Sequence, residues 1–209
     1  GNTQMNRHVV VIFIFACFFL HVKSQSLTEA EVTAKMYQAF ELNKAKKTAD
    51  ALEAFLIVGN NTELQRTEAE RQVFVCSQTM ACMCYGRLKQ YQEAYMLAKK
   101  LMQGNLNDKE KKDVGYQYAI NGYWYAITFL KKDLVEFADY KKGRDILEKV
   151  KPYASGQLLD NILRRIPLSF YKEGVQCQIS QKYREALELY ERHWLVFMNM
   201  DWSRMNFQC

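Results

Sequence analysis

The side chains that most often carry catalysis or bind metals are scarce in this chain. It contains three histidines, and two of them, His8 and His21, lie in an apolar leader at the N-terminus. His193 therefore stands alone in the rest of the chain, and a histidine-based triad or a site with several histidine ligands cannot be assembled. We expect His193 to be a hydrogen-bonded histidine on the packing face of the last helix.

The cysteines are more numerous, but their spacing indicates neither a metal centre nor a disulfide framework. Cys82 and Cys84 resemble a pair of soft-metal ligands, yet no second close pair accompanies them. Cys76 lies on the same predicted helix, and cysteines on one helix at these spacings cannot readily bridge, because a disulfide needs a Cα separation under about 7 Å and converging side chains. We predict that the three pack as small apolar residues. A long-range bridge to Cys177 is the alternative.

Other reactive patterns are also missing. The glycines are scattered singly, so no glycine-rich phosphate loop is present, and no pair of carboxylates stands in an apolar setting. The sequence therefore predicts no catalytic residue, no metal site and no cofactor. Of 29 Lys and Arg, Arg7 and Lys23 belong to the leader, and the remainder are interleaved with 23 Asp and Glu. This balance is typical of a solvated helical surface and argues against a nucleic-acid partner.

The leader has the pattern of a secretory signal peptide. Arg7 and His8 precede twelve uncharged residues, Val9 to Leu20, and a small-residue exit follows them. Twelve residues are short of the roughly 20 that span a bilayer as a helix. We expect residues 1–24 to be removed, a mature chain that begins near Gln25, and export to the periplasm or the extracytoplasmic side of the membrane.

The rest of the chain predicts an all-α protein. It has only two prolines and nine glycines, and its apolar residues recur at helical spacing. Eight helices are expected, at about 26–47, 48–61, 68–87, 91–102, 107–130, 139–151, 155–181 and 182–197. We expect a kink or restart at Pro167, a left-handed helix end at Gly104, and a helical domain over 25–198 followed by a tail, 199–209.

Two stretches of the chain are similar and indicate a repeat. "KQYQEAYMLAKKLM" begins at Lys89 and "QKYREALELYERHW" at Gln181, and their shared alanines are Ala94 and Ala186. With the small residues Gly122 and Gly174 and the aromatics around them, the four helix pairs resemble tetratricopeptide repeats. That resemblance covers residues 27–198 and implies a right-handed α-solenoid. Intervals of 43 residues, from Ala51 to Ala94 and from Gly143 to Ala186, depart from the standard repeat of about 34.

In that family the first helix of each pair lines a groove that binds a protein or peptide. Carried over by helical phase, the groove residues are Phe40, Lys44, Thr79, Met83, Arg87, Tyr116, Tyr123, Ile127, Tyr171 and Gln178. Core packing between repeats is the alternative for Tyr116 and Tyr123, and it is the favoured role for Met36 and Val175.

These observations predict a non-catalytic, exported protein–protein interaction module. It resembles the extracytoplasmic repeat region of bacterial membrane-anchored regulators, which implies a sensory role and a membrane contact only through a C-terminal anchor that this sequence lacks. The alternatives are a periplasmic assembly scaffold and an enzyme that works through carboxylates or Cys177.

Overall fold

The computed structural model of the protein describes residues 27–130 and 139–200. The leader, residues 131–138 and the residues from 201 onward lie outside this part. The predictions of a signal peptide over 1–24 and of a mature N-terminus near Gln25 therefore concern residues that are not described.

Within these ranges the chain is all-α, as predicted, and it forms no strand. The helices are α1 (Glu29–Lys44), α2 (Thr48–Asn61), α3 (Glu68–Arg87), α4 (Tyr91–Met102), α5 (Asp108–Leu130), α6 (Tyr140–Val150), α7 (Gly156–Ile179) and α8 (Tyr183–Met198). A short 3-10 helix, Lys151–Tyr153, joins α6 to α7. Each helix packs on the next one along the chain, and α5 also contacts α3 and α7.

The predicted helix starts are set by local capping. Thr28 Oγ1 accepts from the N–H of Glu31, whose carboxylate accepts from the N–H of Thr28. Asn107 and Glu110 make the same reciprocal pair at the start of α5. Each pair satisfies two N–H groups that a helix start leaves without a partner, so the short polar patterns suffice to position these ends.

The turns α1–α2, α3–α4 and α7–α8 share one backbone conformation. Each contains a residue other than glycine with a left-handed φ of 60°, namely Lys46, Lys89 and Gln181. The next residue donates its N–H to the carbonyl five positions earlier: Lys47 to Leu42 at 2.9 Å, Gln90 to Tyr85 at 2.9 Å, and Lys182 to Cys177 at 2.8 Å. Such a bond satisfies one of the last carbonyls of the preceding helix. The chain therefore repeats one turn three times.

A buried small residue follows each of these turns. The N–H groups of Ala51, Ala94 and Ala186 donate to the carbonyl four residues earlier, and all three side chains are buried. Gly143 holds the same place in α6, since its N–H donates to Asp139 at 3.0 Å and the residue is buried. The two similar stretches of sequence thus begin structurally equivalent helices, α4 and α8.

Close helix crossings depend on two of the predicted glycines. A Cβ atom at Gly174 would lie 2.6 Å from Cε1 of Tyr190, and one at Gly122 would lie 2.5 Å from Cγ1 of Val150 and 3.0 Å from the ring of Tyr95. Carbon atoms do not approach this closely without displacement. Both crossings therefore need a residue without a side chain.

Two expectations concern Pro167 and Gly104. Helix α7 runs through Pro167 without a restart, so the expected restart is wrong, while the expected kink stays a prediction. Proline removes one intrahelical hydrogen bond, but the buried side chains around it, Ile162, Ile166 and Ser169, hold this turn in the packed interior. Gly104 does not adopt a left-handed φ, because Gln103 and Gly104 close α4 with short-range N–H bonds to Lys100 and Leu101.

The predicted helix that carries three cysteines is confirmed as α3. Cys82 and Cys84 are buried in it, whereas Cys76 is exposed, which corrects the expectation that all three pack inside. In the described part of the chain Cys177 is also a free thiol, so the alternative of a bridge from α3 to Cys177 is not realised.

Candidate protein-binding cleft

An open cleft of about 720 Å³ lies between α3 and α5. One wall comes from α3 and the other from α5 and its N-cap residue. Its lining is Gln72, Val75, Cys76, Thr79, Met80, Asn107, Lys109, Glu110, Lys112, Asp113, Tyr116 and Gln117. The spacings of three and four residues on each helix place these side chains on one face, so two helix faces meet across the cleft.

The cleft combines an apolar floor with polar edges. Among the lining residues Val75 is buried and Met80 is half-buried. Thr79 Oγ1 donates its proton to the carbonyl of Val75 at 2.6 Å, so this hydroxyl has no further proton to donate to a ligand. Tyr116 stands at the rim with 50% of its surface exposed. An aromatic side chain of this kind offers large contact area together with a hydrogen-bonding hydroxyl.

An ion-pair network fixes one end of the cleft. Arg71 Nη1 donates to Glu110 Oε2 at 2.6 Å and Arg71 Nη2 to Glu110 Oε1 at 3.0 Å, which joins α3 to the start of α5. The same guanidinium donates to both carboxylate oxygens of Glu68, at 2.7 and 2.8 Å. Hydrogen bonds from Arg71 and Gln72 lower the pKa of Glu68 to about 2. Hydrogen bonds from Arg71 and from the N–H of Asn107 lower the pKa of Glu110.

Only two of the predicted groove residues, Thr79 and Tyr116, line this cleft. Met83 lies one turn beyond Thr79 and is half-buried. Tyr123 and Ile127 are only 6% and 4% exposed, so the expectation that they face a groove is wrong and the core alternative holds for Tyr123. The reason is that Tyr123 and Ile127 belong to the buried core cluster, whereas the cleft lining that α5 supplies ends at Gln117.

The predicted residues of the first helix pair, Phe40 and Lys44, and Arg87 of the second pair lie outside this cleft. Phe40 is half-buried and packs edge-on against Phe55, with ring centroids 5.3 Å apart. Arg87 is exposed, and its Nη1 donates to Asn43 Oδ1 at 2.6 Å. Arg87 and Lys44 line a separate pocket of about 490 Å³ together with Asn43, Lys46 and Thr48.

The predicted residues of the last pair face α8. Tyr171 is half-exposed, with its ring 5.6 Å from that of His193 and 5.8 Å from that of Tyr190. Gln178 is exposed and accepts a hydrogen bond from the Tyr190 hydroxyl at 2.8 Å. His193 is partly buried, and its Nδ1 lies 2.9 Å from the carbonyl oxygen of Pro167, which confirms the hydrogen-bonded histidine.

Sequence reasoning missed most of the cleft lining. The family pattern predicts only one groove residue per helix turn. The predicted groove therefore did not include charged lining residues such as Lys109, Lys112 and Asp113. Helical phase was the available signal: Lys112 and Lys109 lie four and seven residues before Tyr116, hence on the same face.

Cys76 lines the cleft, but its thiol is not activated. Burial, and secondarily Asp113, raise the pKa of Cys76, while burial raises the pKa of Cys82 to about 12. Burial also raises the pKa of Cys177, with Glu185 and Glu173 adding to the shift. Since the thiolate is the nucleophile, each shift lowers reactivity at neutral pH.

Two further properties concern the described residues alone. No group of three or more His, Cys, Asp or Glu side chains there is placed to hold a metal ion. In the same ranges, none of the helices has both the length and the apolar character needed to cross a membrane.

Comparison with known proteins identifies no relative. No family model, no curated protein and no solved structure matches this chain.

Proposed function

We propose that this chain is a non-catalytic helical-repeat module that binds a segment of another protein in the cleft between α3 and α5. The observation that carries the proposal is the cleft itself, about 720 Å³, with a buried apolar floor and a half-exposed tyrosine at the rim. Lysines and carboxylates on the α5 wall give it charges of both signs. An apolar centre with a polar rim is the usual anatomy of a protein-binding site.

The repeat is interpreted as tetratricopeptide-like, stacked as a right-handed α-solenoid. Three identical turns, each followed by a buried alanine, support a repeated two-helix unit. The contact of α3 with α5 supports stacking, because it joins the first helices of two consecutive units. The 43-residue interval then reflects units with longer first helices than the standard repeat of about 34 residues.

The cellular setting proposed for the module rests on the leader. Residues 1–24 carry the signal-peptide pattern, so the module acts outside the cytoplasm as the sensory part of a membrane-anchored regulator. A periplasmic assembly scaffold uses the same cleft without a signalling role. An enzyme that depends on cysteine is the weaker alternative, because the raised pKa values of Cys76 and Cys177 oppose thiolate formation.

Site-specific crosslinking tests the proposed cleft. A photo-crosslinking amino acid is placed at Tyr116, and in a control protein at Tyr37, which is 69% exposed on α1 and outside the cleft. In the native host we expect one defined protein to crosslink at position 116 and not at position 37. Tyr116→Ala should weaken its binding by at least about 1 kcal/mol, or about fivefold. Equal crosslinking at both positions would contradict the proposal.

A further inference from the structure

A basic pocket of about 490 Å³ lies where the end of α1, the α1–α2 turn and the end of α3 meet. The described residues that line it are Asn43, Lys44, Lys46, Thr48 and Arg87. Three of these side chains are cations and none is acidic. The pocket shares no lining residue with the α3–α5 cleft, so it is a second site.

Two of the cations hold equivalent places in consecutive helix pairs. Lys44 ends α1 and Arg87 ends α3, 43 residues apart, which is also the interval from Ala51 to Ala94. Arg87 Nη1 donates to Asn43 Oδ1 at 2.6 Å, which joins the two helix ends. Because asparagine is neutral, this bond holds the guanidinium in place without compensating its charge.

The uncompensated charge of the pocket is that of Lys46 and Arg87. Lys44 Nζ lies 2.6 Å from Glu41 Oε1, which is outside the lining, and this exposed pair is neutral as a unit. Lys46 forms no ion pair with another described residue. The carbonyls at the end of α1 are already bonded, since the backbone N–H groups of residues 45–47 donate to them. The pocket therefore has a net charge of about +2.

The start of α2 adds uncharged donors to this wall. Thr48 is half-buried, and its hydroxyl makes no hydrogen bond with another described residue. Lys47, the N-cap of α2, makes no side-chain cap bond, so the first N–H groups of the helix lack a side-chain partner. Asp50, the acid in this turn, lies about 200° around the helix from Thr48 and hence on its far side. The donors of the first turn therefore add to the attraction of the cations for an anion.

We propose that this pocket binds a phosphate group, either as free phosphate or as the phosphate of a small phosphorylated molecule. A phosphate dianion neutralises a site of about +2, whereas one carboxylate neutralises half of it. Phosphate oxygens also accept from several directions at once. The donors are the remaining guanidinium N–H groups of Arg87, the ammonium group of Lys46 and the hydroxyl of Thr48. The inference does not rest on the partner proposed for the cleft.

Titration of the isotope-labelled protein with inorganic phosphate, followed by the amide signals in NMR spectra, tests the site. We expect the N–H signals of Lys46, Thr48 and Ala49 to shift most. Lys46→Gln/Arg87→Gln should bind phosphate at least tenfold more weakly, because two charge-assisted hydrogen bonds are lost. Glutamine suits position 46 because Gln181 has the same φ of 60° in the α7–α8 turn.

The matched control removes the same charge elsewhere. Lys111→Gln/Lys149→Gln changes two exposed lysines outside the pocket and should bind phosphate within twofold of the unchanged protein. Thermal unfolding followed by circular dichroism verifies that both double variants are folded at the temperature of the titration. Arg87→Lys, with Lys46 unchanged, keeps the charge and should retain more affinity than the glutamine double variant.

A second ligand separates the two sources of the phosphate group. Tighter binding of glycerol phosphate than of inorganic phosphate identifies a phosphorylated molecule as the ligand, and the reverse order identifies free phosphate. Acetate that binds as tightly as phosphate, no saturable binding of phosphate, or equal losses in the two double variants would overturn the proposal. Tyr116→Ala should leave phosphate affinity unchanged, so failure here is distinguishable from failure of the cleft.

Discussion

At the scale of single residues, two glycines of similar appearance in the sequence have different roles. Gly174 lies at the crossing of α7 and α8, where the ring of Tyr190 occupies the space that a side chain would need. Gly104 ends α4 with an ordinary φ, and the nearest atom to a Cβ there is the Leu101 carbonyl oxygen at 3.2 Å. Packing therefore constrains Gly174 far more than Gly104.

We expect Gly174→Val to lower the free energy of unfolding by about 1–3 kcal/mol, because the added methyl groups overpack the crossing. Gly104→Val should cost less, since its surroundings are open. Thermal unfolding of both variants followed by circular dichroism measures the difference. Equal losses of Tm would contradict the close α7–α8 crossing.

Acid should weaken the Arg71 network. The carboxyl pKa of Glu68 is about 2 in the folded protein and about 4.5 without the network, and that of Glu110 is also lowered. A lowered folded pKa contributes stability that is complete above about pH 4.5 and is lost as the pH falls towards 2. In the Arg71→Met protein, the free energy of unfolding should therefore fall less between pH 4.5 and pH 2 than in the unchanged protein.

Urea unfolding between pH 2 and pH 6 measures how the free energy of unfolding changes with pH. Arg66→Met, in the loop before α3, is the matched control and should keep the slope of the unchanged protein. If Arg71→Met and the unchanged protein lost stability in parallel over this range, the network would not be the origin of the shift.

At the scale of elements, the repeated turn requires one residue in the left-handed backbone conformation, which is unfavourable for residues other than glycine. Lys46, Lys89 and Gln181 hold a φ of 60°, although lysine and glutamine rarely adopt it. The turn persists because its hydrogen bonds end one helix and its direction brings the next helix back onto it. Local strain is thus balanced by packing of the helix pair.

We expect Lys89→Gly to raise the free energy of unfolding by about 1 kcal/mol, because glycine adopts the left-handed region without steric cost. Lys99→Gly, inside α4, should lower it by about 1 kcal/mol through lost helix propensity. Urea unfolding of both variants supplies the measurement. A loss of stability in Lys89→Gly would contradict the left-handed conformation at this turn.

At the scale of the whole molecule, the two ends of the helical array differ in polarity. Helix α1 presents Lys35 and Gln38 outward, and α8 presents Leu187 and Trp194. The cleft between α3 and α5 lies between these two end helices in the order of the chain. The described part of the chain therefore has two separate exposed surfaces, the α3–α5 cleft and the apolar side of α8.

We predict that the whole protein is exported and that its leader is removed. Protein recovered from its native host should begin near Gln25, because a basic start, a short apolar run and a small-residue exit direct cleavage there. Mass spectrometry of the intact protein from the extracytoplasmic fraction checks this. Cytosolic protein that retains Met5 would contradict the signal peptide and, with it, the proposed location.

The sequence by itself determined features that depend on neighbours along the chain. Thr28 and Asn107 begin helices because each reaches an N–H group three residues away. Ala94 and Ala186 identified the repeated helix start because both serve the same local turn. These interactions need no distant partner, so spacing in the sequence was enough to predict them.

Only the tertiary structure decided which side chains are available to a ligand. Tyr116 and Tyr123 are two helix turns apart on one face of α5, yet one is half-exposed and the other buried. Leu52 and Leu187 hold equivalent places in the repeat, yet only Leu52 is covered. In both pairs the difference arises from which helix packs alongside, and burial by a distant helix leaves no signature in the residue's own periodicity.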